Sequence, residues 1–94
     1  LVLYTVSFMN TKRKLLSAIQ THLSQVRFTD ACKAAELLGF VQKGGAGSHC
    51  TLAKAGEPAL LNFQNRNGFI PSYQARQLAL MIDKYGENNE TLPH

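Results

Sequence analysis

Hydrophobic side chains recur at helical spacing in the first third of the chain. Leu15, Ile19, His22 and Val26 stand at i, i+4, i+7 and i+11, and Leu16 and Leu23 widen the same stripe. This period predicts an amphipathic helix over residues 11–25, with His22 as a packing residue on its apolar side. The basic residues at positions 12–14 fall at its start and are expected to face water.

A second helix is predicted directly after the first. Thr29 is a suitable N-cap residue, Asp30 suits the positive end of the helix dipole, and Gly39 stands where glycine commonly ends a helix. The predicted buried side consists of Ala31, Ala34, Ala35 and Leu38. Because most of these side chains are small, the helix can pack closely against a flat surface such as a sheet.

From residue 40 the period changes to that of short strands. The candidates are FVQK (40–43), SHCTLA (48–53) and ALLNFQ (59–64), and AGEP (55–58) is the predicted turn between the last two. In the middle strand, alternation places Cys50 and Leu52 on one face and His49 and Thr51 on the other. One face is apolar and one is polar, as expected for an antiparallel sheet that helices cover on one side.

A turn and a final helix complete the pattern. Asn67–Gly68 is a turn signal, and Pro71 leads into Ser72, the predicted N-cap of a helix that ends at Gly86. The order helix, helix, three strands, helix predicts an α+β fold, with a small three-stranded antiparallel sheet backed by helices on one face.

The domain boundaries follow from the same pattern. We expect one domain over residues 10–86 and a flexible tail over residues 87–94. Residues 1–9 are interpreted as an N-terminal extension, and the stretch 1–8 is open to three interpretations: an upstream segment, a vector remnant or an extra edge strand.

Composition narrows the possible compartments and partners. Ten Lys and Arg against six Asp and Glu give a net charge of +4, which favours polyanionic partners. Two cysteines, Cys32 and Cys50, without a CxxC pair argue against a disulfide framework or a zinc site and are expected to be reduced thiols in the core. The apolar opening is too short for a signal core or a membrane span. We therefore expect a cytoplasmic protein that contacts no membrane.

Three short motifs occur in an order that resembles a known family. Gly39–Phe40 ends the second helix, Gly47–Ser48–His49 opens the second strand, and Pro71 introduces the last helix. In these features the stretch 28–86 resembles the HicA-type mRNA interferase toxins of bacterial toxin–antitoxin systems. The resemblance implies a double-stranded-RNA-binding-like fold, to which this chain adds an N-terminal helix.

The chain also departs from the family pattern. Many members carry a second histidine where this chain has Cys50, and a histidine after the third strand where it has Asn65 or Arg66. The basic turn that usually precedes the last helix is here Phe69–Ile70. These differences bear on catalytic strength and RNA preference rather than on the fold.

The resemblance implies a chemistry that the residues can be tested against. Metal-independent RNA cleavage uses the ribose 2′-hydroxyl as nucleophile, and a histidine is suited to take its proton, so His49 is the candidate catalytic residue. The candidate RNA- and phosphate-binding residues are Lys43, Gly45, Gly47, Ser48, Lys54 and Arg66. Neither a metal nor a cofactor is expected.

The implied partners are mRNA and a HicB-type antitoxin protein that covers the exposed sheet face. Two other interpretations stay open: a non-catalytic RNA-binding module on the same scaffold, and a protein-interaction domain whose basic surface aids solubility. A lone histidine on a strand is more often a surface or structural residue than a catalyst, and a glycine loop is most often a simple connection.

Overall fold

The computed structural model describes the backbone of residues 2–86 and the side chains of residues 12–86. Its elements, in chain order, are α1 (Val2–Thr21), α2 (Phe28–Leu37), β1 (Val41–Gly44), β2 (His49–Lys54), β3 (Glu57–Gln64) and α3 (Ser72–Met81), followed by a π-helical turn (Ile82–Gly86). This order confirms the predicted α+β class and the ααβββα arrangement. The predicted tail at 87–94 lies outside the described residues.

The sheet is the predicted antiparallel meander, with strand order β1-β2-β3. Cys50 lies opposite Phe63 and Leu52 lies opposite Leu61, so these four side chains point to the same face. All four are at most 5% exposed. The predicted alternation of apolar and polar residues in β2 is therefore confirmed, with Cys50 and Leu52 on the covered face.

The three helices supply the other half of the core. Ala31, Ala34 and Ala35 of α2 are fully buried, which confirms the predicted packing side of this helix. From α3, Ala75 and Leu78 are also fully buried against the same cluster. Four of these five residues are alanines, and because their side chains are single methyl groups, the helices and the sheet can approach each other closely.

The first helix differs from its prediction at both ends. It begins at Val2 and ends at Thr21, so the stretch 2–8 is helical and the strand interpretation of it was wrong. Neither glycine nor proline occurs between residues 2 and 38, and so nothing in the sequence interrupts the helix early. His22 follows the last helical residue and is exposed, which corrects its predicted packing role.

The predicted starts of α2 and α3 also differ from the structure. For α2 the reason is a tertiary contact. Arg27, and not Thr29, is the N-cap residue of α2, and its backbone is extended, with ψ of 143°. The extended conformation arises because the neighbouring residues pair with the loop before α3: the Phe28 N–H donates to the Gly68 carbonyl at 2.9 Å. Likewise Pro71, and not Ser72, caps α3.

The loop that makes this pairing is a tight hairpin. Arg66 and Phe69 exchange two backbone hydrogen bonds, of 2.7 and 3.1 Å, across the predicted Asn67–Gly68 turn. Both central residues have positive φ, 55° and 93°, as a type I′ turn requires. The hairpin therefore adds a short pair of extended segments beyond the end of β3.

Candidate functional site

The site forms where β2 begins and β3 ends, on the face of the sheet that the helices leave open. His49 is the first residue of β2 and is exposed. Its successor Cys50 is buried, so the alternation of the strand directs the imidazole away from the core. The cross-strand partner of His49 is Gln64, the last residue of β3.

A chain of side-chain hydrogen bonds orients the imidazole. The Arg66 guanidinium donates to the Gln64 amide oxygen at 3.0 Å, which turns the amide nitrogen of Gln64 towards His49. That nitrogen lies 3.1 Å from His49 Nε2. An amide nitrogen only donates, so in this arrangement Nε2 is the acceptor and the neutral ring carries its proton on Nδ1. Nδ1 in turn lies 3.5 Å from the Ser48 hydroxyl.

A second polar pair continues this open face towards the middle of the sheet. The Thr51 hydroxyl donates to the Asn62 side-chain oxygen at 2.7 Å, and the two residues lie opposite each other on β2 and β3. Beyond them the face becomes apolar, because Val41 of β1 and Leu60 of β3 are 58% and 51% exposed. The open face thus has a polar half that contains His49 and an apolar half at the other end.

The glycine loop before β2 holds the backbone of the candidate catalytic residue. Gly45 has φ of +111°, and a Cβ at this position would lie 2.3 Å from the His49 carbonyl oxygen and 2.9 Å from the Cys50 Cα. Gly47 has φ of +61° and faces open space. The His49 N–H closes the turn by donating to the Ala46 carbonyl at 3.2 Å. The loop therefore fixes the position of the His49 backbone, from which the imidazole extends.

Of the three predicted basic residues, the structure connects Arg66 to the site, places Lys43 on the neighbouring strand and leaves Lys54 at the far end of β2. Arg66 is joined to His49 through Gln64, and Lys43 lies exposed in a β-bulge of β1 next to Gly44, the partner of Thr51. Lys54 lies at the far end of β2, roughly 16 Å along the strand from His49.

The Lys54 side chain packs against the helical layer. Its Nζ lies 4.8 Å from the centroid of the Tyr85 ring and would be 2.6 Å from a Cβ added at Gly39. The parity of the strand already separates it from His49, since the two positions differ by an odd number of residues. Lys54 therefore contributes to packing at the other end of the sheet.

Gln64 was not identified from the sequence, although it is the direct neighbour of His49. Lys54 and Glu57 are the paired residues nearest the turn between β2 and β3. If regular pairing continued from this pair along both strands, Asn62 would lie opposite His49. An irregularity between Leu52 and Lys54 shifts the register by two residues and places Gln64 there instead. No turn signal in the sequence announces this shift.

A second polar cluster connects the π-helical turn after α3 to the β2–β3 hairpin. The Glu57 carboxylate, 8% exposed as a residue, accepts hydrogen bonds from Lys84 Nζ at 2.7 Å, from the Tyr85 hydroxyl and from the Ala59 N–H at 2.9 Å. These donors, with Lys84 the strongest, lower the pKa of Glu57 to about 2, and the bond to Glu57 raises the pKa of Tyr85. The cluster fastens the π-helical turn and lies away from His49.

The two cysteines are unpaired thiols in the interior, as predicted. Cys50 is buried and Cys32 is partly buried. Burial, and then the neighbouring Cys50, raise the pKa of the Cys32 thiol far above its ordinary value. The Cys32 thiol is thus held neutral and weakly reactive at neutral pH.

Comparisons with known proteins add no assignment: no family model, curated protein or solved structure matches the chain. Within residues 2–86, no helix has the length and apolar character that a membrane span requires. In the same part of the chain, no three His, Cys, Asp or Glu side chains cluster in a way that would hold a metal ion.

Proposed function

We propose that this protein is a metal-independent endoribonuclease of the HicA-type mRNA interferase class, with His49 as its catalytic residue. The observation that carries the proposal is the oriented imidazole itself. His49 is exposed on the open sheet face, its Nε2 lies 3.1 Å from the amide nitrogen of Gln64, and an arginine is attached to the same hydrogen-bond chain. A proton acceptor and a cation are thus linked through one intervening side chain, Gln64, and transesterification of RNA uses both kinds of group.

The chemistry follows from these two groups. His49 Nε2 takes the proton of a ribose 2′-hydroxyl, the 2′-oxygen attacks the adjacent phosphorus, and the bond from phosphorus to the 5′-oxygen breaks. The products are a 2′,3′-cyclic phosphate and a 5′-hydroxyl end, whose proton comes from the imidazolium or from water. Arg66 faces the phosphate oxygens that gain charge in the transition state. The substrate hydroxyl replaces Gln64 as the partner of Nε2.

The charge pattern of the chain supports an RNA substrate. Between residues 37 and 82 the only acidic residue is Glu57, and its carboxylate is bound by Lys84 and Tyr85. The strands and the hairpin around His49 therefore present Lys43 and Arg66 without competing carboxylates from that stretch of sequence. Such a surface attracts a phosphodiester backbone. We propose mRNA in the cytoplasm as the substrate.

The test is cleavage of a single-stranded RNA in the presence of EDTA. His49→Ala is expected to slow cleavage by about 10²–10⁴-fold, the usual contribution of a general base. His22→Ala is the matched control, because His22 is also exposed but lies at the end of α1. A substrate with a 2′-deoxyribose at the cleaved position should stay intact. Equal rates for the two histidine variants would refute the assignment of His49.

The same face offers a surface for the proposed HicB-type antitoxin. Val41 and Leu60 are large, more than half exposed, and lie on the side of the sheet that carries His49. A protein that buries them also covers the imidazole. Expression of the chain is expected to arrest growth, and co-expression of the neighbouring gene product to relieve the arrest. In a Val41→Glu, Leu60→Glu variant the arrest should persist despite the partner; continued relief would place the partner elsewhere.

A non-catalytic RNA-binding module is the second candidate, and one observation favours it. In the described part of the chain, the hydrogen-bond neighbours of the two imidazole nitrogens are the neutral side chains of Gln64 and Ser48, rather than a carboxylate that would stabilise the imidazolium. RNA binding needs only the basic and polar face. Salt-sensitive binding without cleavage, unchanged in His49→Ala, would assign this second function.

A further inference from the structure

An aromatic ring lies between two arginines at the end of the sheet that carries His49. Phe69 is the antiparallel partner of both Arg66 and Arg27. Residues that lie directly opposite in an antiparallel pair share a face, so the three side chains form a row. The ring of Phe69 is 39% exposed as a residue, and the Arg27 guanidinium carbon lies 5.6 Å from its centroid.

This row is continuous with the proposed catalytic site. Arg66 donates to Gln64, and Gln64 contacts the imidazole of His49. Along the face, the order is therefore His49, Gln64, Arg66, Phe69 and Arg27. A nucleic acid strand whose phosphate lies at His49 and Arg66 reaches Phe69 with a nearby nucleotide.

We infer that Phe69 and Arg27 form a stacking subsite for an unpaired nucleobase of the RNA, next to the cleaved phosphodiester. The inference rests on the proposed RNA function. Aromatic rings and arginine guanidinium planes are the groups on which proteins stack splayed-out bases. The flanking Arg66 supplies a phosphate contact for the same nucleotide. In a duplex each base face is covered by its neighbours, so the subsite selects single-stranded RNA.

The chain contains no tryptophan, which allows a direct optical test. Phe69→Trp, made together with His49→Ala so that RNA stays intact, introduces the only indole at the subsite. Binding of an oligouridylate is expected to quench its emission and to retain the affinity of the His49→Ala protein. Tyr73→Trp in the same background is the control, because Tyr73 is an exposed aromatic, 53% exposed, on α3 outside the row.

Removal of the ring completes the test. Phe69→Leu is expected to weaken oligouridylate binding by about 5-fold or more, since stacking on one aromatic side chain is worth ~1–3 kcal/mol per base. Its binding of an RNA duplex of equal length should not change. Thermal unfolding checks that the variant folds, and Phe69→Trp provides a second, ring-preserving variant.

The outcomes separate this inference from the function on which it rests. Binding without quenching at Phe69→Trp, or equal losses for Phe69→Leu and Tyr73→Leu, overturns the stacking subsite and leaves RNA cleavage by His49 standing. Quenching without any cleavage by the native chain supports the subsite in a binding module. Absence of RNA binding by every variant refutes the RNA function and the subsite together.

Discussion

Replacement of Gly45 by alanine should destabilise the protein much more than the same replacement at Gly47. Both glycines lie in the loop before β2 and both have positive φ, so each substitution pays for a left-handed backbone. They differ in their surroundings. A methyl group at Gly45 meets the His49 carbonyl and the Cys50 Cα within 3 Å, whereas one at Gly47 meets nothing within 4 Å.

The expected magnitudes follow from these surroundings. At Gly47, φ of +61° lies in the left-handed helical region, where an L-residue loses roughly 1–2 kcal/mol. The stiffer unfolded chain returns about 0.4–1 kcal/mol, which leaves a net loss of about 1 kcal/mol. At Gly45, φ of +111° lies outside that region and costs about 1–3 kcal/mol. The backbone displacement adds about 1–3 kcal/mol, so the net loss is about 3 kcal/mol.

Urea denaturation measures the difference between the two variants. With an m-value of about 1–2 kcal/mol/M, the extra loss of about 2 kcal/mol places the midpoint of Gly45→Ala roughly 1–2 M below that of Gly47→Ala. The comparison cancels the effect of the stiffer unfolded chain, which both substitutions share. Coincident midpoints would show that the loop yields freely, and the inference that Gly45 holds the backbone of His49 would then be wrong.

Three further predictions concern the core, the polar cluster around Glu57 and the basic residues Arg66 and Lys54. Leu52→Ala, at a fully buried position, should cost about 2–5 kcal/mol in thermal or urea unfolding, whereas Leu80→Ala, at a position 64% exposed, should stay within ~0.5 kcal/mol; similar losses would contradict the assigned core. The pKa of Glu57 falls from 4.5 to about 2 on folding, so its stabilisation is complete above pH 4.5 and disappears towards pH 2. Glu57→Gln should flatten this acid limb of stability against pH, and an unchanged limb would exclude the ion pair as its cause. Arg66→Ala should reduce the slope of log K against log salt for single-stranded RNA by about 0.7, and Lys54→Ala should leave it unchanged; the reverse result would move the phosphate path to the other end of β2.

Local patterns were sufficient for the element order and for the two faces of the sheet. The period of two in β2 separated Cys50 and Leu52 from His49, and the small side chains of α2 marked its packing side. Asn67–Gly68 predicted its turn because few residues other than asparagine and glycine accept positive φ. Each of these features depends on neighbours close in sequence, so the sequence alone contains the information.

The ends of the helices could not be predicted in the same way. Thr29 has the chemistry of an N-cap, yet α2 begins two residues earlier than a Thr29 cap predicts, because the preceding segment is extended by its pairing with the hairpin at residues 66–69. The partners are about forty positions apart in sequence. A local preference of about 1 kcal/mol for a capping residue yields to such a tertiary contact.

Considered by itself, the sequence determined that His49 stands on the polar face of a strand and follows a glycine loop. The tertiary structure decided which groups meet it. A two-residue register shift near the hairpin end put Gln64, and through it Arg66, beside the imidazole, while Lys54 turned towards Tyr85. Alternation along one strand is a property of the backbone, but register between strands depends on how both faces pack, and only the folded chain settles that.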